Sequence, residues 1–80
     1  MRKKQDGVAT VANAIRRYCA FHPDAADSAD GVQRWWLLQV HEEPLAVVEL
    51  ALERLVEEGV MRRLELEAGR VVYANARRPS

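Results

Sequence analysis

The sequence predicts an α+β domain, mostly α: three helices followed by a C-terminal two-stranded β-hairpin. Three observations carry this. Apolar residues recur at helical spacing in three separate stretches between residues 8 and 58. After Gly59 the apolar period changes from 3.6 to 2. Two short alternating runs then flank Ala68-Gly69, a turn signal.

The chain has 80 residues, 49% of them hydrophobic. That is enough for one small domain with a thin core. In the first helix Val8, Val11, Ala12, Ile15 and Cys19 share a face, with Tyr18 on its shoulder. Asp6 or Gly7 can cap its start, and Pro23 disfavours helical geometry at His22, so it should stop near Phe21. A loop from His22 to Ala26 follows. Asp27-Ser28-Ala29-Asp30 has the residues of a helix start, and Val32, Trp35, Trp36 and Leu38 or Gln39 make a short second helix. Val40 to Glu43 is a short connection. Pro44 suits a first helical position, and the third helix runs from about Pro44 to Glu58. Leu45, Val48, Leu52, Leu55 and Val56 fall on one side of it, and Gly59 supplies a left-handed cap. Beyond it Leu64 and Leu66 alternate with Arg63, Glu65 and Glu67, and residues 70–74 form the return strand. The expected core is Val11, Ile15, Val32, Trp36, Leu45, Val48, Leu52, Leu55, Leu64 and Tyr73.

The 12 basic and 12 acidic residues cancel but are segregated. Residues 1–22 carry five bases and one acid, and residues 59–80 five bases and two acids. Residues 42–58 carry six acids and one base. A polyanion would have to meet the basic ends and avoid the acidic middle. The expected division is a flexible basic arm over 1–7, a domain over 8–76 and a polar tail over 77–80.

Several function classes drop out. One cysteine excludes an internal disulfide, and Cys19, His22 and His41 are too few soft ligands for a metal site. The glycines at 7, 31, 59 and 69 make no phosphate loop, so no cofactor is implied. Cys19 and His22 stand three apart on a helix, but no third orienting group accompanies them, so no enzyme and no small-molecule substrate are expected. No apolar run approaches the roughly 20 residues of a membrane span. The basic start is not followed by an apolar stretch, so a secretory signal is not expected. A cytoplasmic setting fits best.

Val48-x-x-Ala51-Leu52-x-x-Leu55-x-x-x-Gly59-Val60, an Arg-rich strand, then Gly69-Arg70-Val71-Val72-Tyr73 resemble the third helix and wing of winged helix-turn-helix domains. The Val40–Glu43 connection resembles the turn before that family's recognition helix. A third, minimal strand near Ala26–Ser28 would complete the pattern, which spans about residues 8–76. The resemblance implies a third helix in the DNA major groove and a wing on the backbone. It also implies transcription regulation, although some members use the same surfaces for protein contacts.

The residues of the third helix fit the first role poorly. Its outward face reads Ala46, Val47, Leu50, Glu53, Arg54 and Glu57, and only Arg54 suits a base edge. The candidate nucleic-acid contacts are therefore Arg54, wing residues Arg62, Arg63 and Arg70, and arm residues Lys3 and Lys4. The candidate protein contacts are Val47 and Leu50, apolar among charges, and Trp35. Of the adjacent indoles Trp36, four after Val32, faces the core. Trp35 is then an interface anchor or, more commonly in a thin core, a second core indole with its N–H in water. The resemblance puts duplex DNA first as partner, bound weakly or by a dimer. Protein–protein contact or homodimerisation without DNA comes second.

Overall fold

A computed structural model describes residues 3–37 and 43–76, with side chains from Gly7 onward. Helix α1 spans Lys3–Phe21, strand β1 Ala26–Asp27 and helix α3 Leu45–Glu57. Between β1 and α3 lies α2, one α-turn at Ala29–Gly31 that continues as a π-helix over Val32–Trp36. Strands β2, Met61–Glu65, and β3, Val71–Asn75, close the chain. The fold is thus α+β and mostly α, with a three-stranded antiparallel sheet in the order β1-β3-β2. The third strand sits where the sequence suggested, Ala26 opposite Ala74 and Asp27 opposite Tyr73.

Local chemistry explains most boundaries. Helix α1 starts at Lys3, so the expected cap at Asp6 or Gly7 is corrected: both lie inside the helix. Gly7 instead makes room for Glu43, whose Oε1 would lie 3.2 Å from a Cβ there. Ser28 caps α2, its Oγ accepting from the Gly31 N–H at 3.1 Å. Pro44 is the residue before α3 rather than its first turn. Gly59, at φ +80°, closes α3 with a Schellman motif: its N–H reaches Val56 O at 3.1 Å, and the Val60 N–H reaches Leu55 O at 2.9 Å. In the hairpin turn Ala68 and Gly69 both take positive φ, 61° and 73°, as a type I′ turn requires.

The core joins Val11, Ile15 and Cys19 of α1, Val32, Trp36 and Leu37, α3 residues Val48, Ala51, Leu52 and Leu55, and Met61 and Tyr73 of the sheet. Two expectations are corrected. Leu45 lies at the exposed start of α3. Leu64 is only half-buried and lies outside the core cluster, because β2 faces the helices with Met61, Arg63 and Glu65. Met61 takes the buried place expected of Leu64. Trp36 stacks on Tyr18, ring centroids 4.5 Å apart, and Tyr18 in turn meets His22 at 4.3 Å.

Candidate functional site

Helix α3 buries Val48, Ala51, Leu52 and Leu55, which lie within one arc of its circumference. The opposite arc carries Ala46, Glu49, Leu50, Glu53, Arg54 and Glu57, all exposed. Leu50 stands near its middle, 54% exposed. Val47, grouped with Leu50 in the sequence reading, is half-buried and packs against the core. The apolar spot on α3 is therefore Leu50 with Ala46.

Two of the charges around it, Glu53 and Arg54, are committed to neighbours. Arg54 lies 3.9 Å from Glu58, which also holds Arg16 at 2.6 Å. Glu53 turns toward the sheet: Tyr73 Oη donates to its Oε2 at 2.7 Å, and Arg63 Nε stands 3.8 Å from the same oxygen. Arg63 Nη1 is 3.5 Å from Glu65. Such half-exposed pairs contribute little stability singly, but they compensate the charge a polyanion would seek.

The hairpin arginines do not form one patch. Arg63 faces α3 with Met61 and Tyr73. Arg62 is opposite Ala74 on the other face of the sheet. Arg70 lies opposite Leu66, whose N–H it accepts at 2.7 Å, and so extends that second face. Among the described residues neither Arg62 nor Arg70 has an ion-pair partner. The side chains of Lys3 and Lys4, and residues 38–42 of the expected turn, lie outside the described part. Glu43 is described: its carbonyl accepts from Gln33 Nε2 at 2.9 Å, which ties α2 to the entry of α3.

Trp35 is 62% exposed, which corrects the reading of it as a second core indole. Phe21, which the sequence reading passed over, is 77% exposed at the end of α1. Its position directly before the helix-ending His22-Pro23, off the Val11–Ile15–Cys19 face, was the available signal.

Chemistry in the remaining cavities is limited. A groove of about 480 Å³ runs between Arg16, Cys19, Glu58, Val60 and Asn75. Its Arg16 and Glu58 neutralise each other. Burial pushes the Cys19 thiol up, away from the thiolate a nucleophile needs, and its Sγ rests 3.6 Å from Met61 Sδ. His22 lies against Tyr18. Among the described residues no three of His, Cys, Asp and Glu gather as metal ligands, and no helix is long and apolar enough to cross a membrane. No family model, curated protein or solved structure matches the chain.

Proposed function

We propose that the chain is a non-enzymatic winged-helix module whose third helix contacts protein, with duplex DNA a weak and salt-sensitive ligand. The winged-helix reading is supported by the element order: helices first, a hairpin last, and a short strand between the first two helices that pairs with the hairpin. The observation that carries the protein reading is Leu50, 54% exposed between Glu49, Glu53 and Glu57, on a helix whose one arginine is paired with Glu58. A groove-reading helix needs donors aimed at base edges and no carboxylates facing phosphates. An apolar centre with a charged rim suits a protein contact. A reducing, cytoplasmic setting belongs to the same proposal and rests on the single free cysteine.

The second reading is regulatory DNA binding through the wing, favoured by Arg62 and Arg70 on one sheet face, neither of which has an ion-pair partner among the described residues. Fluorescence anisotropy with a labelled mixed-sequence duplex separates the two. The protein reading expects no binding at near-physiological salt. At low salt it expects weak binding that Arg62→Ala with Arg70→Ala removes and Arg54→Ala leaves alone. Binding that persists at near-physiological salt and falls with Arg54→Ala would overturn it.

A further inference from the structure

The sheet has two unlike faces. The helices cover the one that carries Met61, Val71 and Tyr73. The other presents three cross-strand pairs in a row: Arg62 opposite Ala74, Leu64 opposite Val72, and Leu66 opposite Arg70. Leu66 is 47% exposed, and Leu64 and Val72 are half-buried without joining the core cluster. This is an apolar stripe with an arginine toward each end that has no ion-pair partner among the described residues.

The same chain carries a complementary surface on α3: Leu50 and Ala46, flanked by the exposed Glu49 and Glu57, with Arg54 beside Leu50 paired to Glu58 and Glu53 paired to Arg63. The spacings agree. Eight helical steps separate Glu49 from Glu57, roughly 12 Å of axial rise. Arg62 and Arg70 stand four ladder positions apart, roughly 13 Å along the strands. We infer that the outer face of the sheet takes a second copy of this chain, docked by the open face of its α3. The inference rests on the reading of α3 as a protein-contact helix and names the partner.

Charge also selects the geometry. Sheet face on sheet face would set arginines against arginines, and α3 on α3 would set glutamates against glutamates. Like-charge juxtaposition disfavours both, so the contact is head to tail. The formal net charge of zero leaves no overall repulsion between copies. The apolar stripes supply the attraction and the charges the orientation, since exposed ion pairs contribute little affinity. A head-to-tail contact uses both surfaces of every copy and continues into a ring or an open chain rather than stopping at two.

The experiment is sedimentation equilibrium of the full chain over a concentration series, at low and high salt. The expected result is a weight-average mass that rises above the 9.1 kDa monomer with concentration at both salt concentrations, with only a modest decrease at high salt. Two charge-reversed variants complete it: Arg62→Glu with Arg70→Glu, and Glu49→Arg with Glu57→Arg. Each alone should associate at least about tenfold more weakly, and an equal mixture should restore association, since the two retained faces pair as in wild type and the two reversed faces now fit each other. Arg17→Glu with Arg34→Glu shifts net charge by the same amount as the sheet variant and should associate more strongly than that variant does. Far-ultraviolet circular dichroism verifies that every variant is folded. A wild type monomeric at all concentrations, or a mixture that behaves as two non-associating species, overturns the inference while leaving α3 open to another protein. Salt-resistant duplex binding that depends on Arg54 overturns the α3 reading as well. Duplex binding confined to Arg62 and Arg70, with no self-association, reassigns the sheet face to nucleic acid and overturns the inference alone.

Discussion

Tyr73 Oη donates a 2.7 Å hydrogen bond to Glu53 Oε2, joining the central strand of the sheet to the outward side of α3. Arg63 stands 3.8 Å from the same oxygen. One carboxylate thus positions the hairpin against the helix and occupies an arginine that could otherwise meet phosphate. Burial raises the Tyr73 pKa above its ordinary value, and the bond to Glu53 adds to that, while Arg63 opposes it.

Tyr73→Phe removes this link. The expected loss is about 0.5–1.5 kcal/mol at neutral pH, the net worth of one partly exposed hydrogen bond, read by urea denaturation. The pH dependence has a definite sign. A raised folded pKa favours the protonated phenol in the fold, so its contribution is complete below the unfolded value near 10 and is lost as pH rises through the folded one. Wild type should therefore lose more stability above about pH 10 than Tyr73→Phe does. Equal slopes would show that Tyr73 ionises as freely in the fold as in the unfolded chain.

Met61 and Leu64 should respond very differently to truncation. Met61 is 2% exposed in the core, so Met61→Ala should cost about 2–5 kcal/mol. Leu64→Ala, on the outer face of the sheet, should cost under about 1.5 kcal/mol. Thermal melts of the two variants settle the order, and the reverse ranking would place Leu64 inside.

Gly31 is confined by its neighbour. A Cβ there would run into the carboxylate of Asp27, whose Oδ1 accepts from the Ser28 N–H at 2.8 Å. Gly31→Ala should destabilise by about 1–3 kcal/mol despite alanine's better helix propensity. Adding Asp27→Ala should recover part of that loss, a coupling that a double-mutant cycle measures. Purely additive costs would mean that the two residues do not meet.

Cys19 should be a slow thiol. It is 5% exposed and its pKa is raised by burial. Modification by an aromatic disulfide reagent at pH 8 should run far below the rate of the urea-unfolded chain and track opening of the domain. Equal rates would place the thiol at the surface.

The helical part of the fold was legible because its signals are local. Val11, Ile15 and Cys19, Ser28 before α2, and Gly59 after α3 act through spacing and backbone geometry alone. The face of the hairpin was not. Leu64 and Leu66 are more apolar than Arg63 and Glu65, so alternation assigns them inward. The structure sets Arg63 inward because Glu53 and Tyr73 meet it there, a contact across some 10–20 residues of sequence that no period reveals. The π-turn at Val32–Trp36 is likewise invisible to a 3.6-residue template, although Trp36 still falls inside and Trp35 outside. For the candidate site, the acidic and apolar character of α3 was readable from Leu50, Glu53 and Glu57. The pairing that separates Arg63 from Arg62 and Arg70 needed the sheet register.

The most direct test of α3 as a protein-contact helix is the methyl spectrum of Leu50, recorded on the dilute chain, the concentrated chain, and the dilute chain with a mixed-sequence duplex at near-physiological salt. The account predicts that the Leu50 methyl signals move with protein concentration, those of buried Leu52 stay in place, and the duplex leaves Leu50 unmoved. Leu50 signals that ignore concentration and shift with the duplex would contradict it and return α3 to the DNA groove.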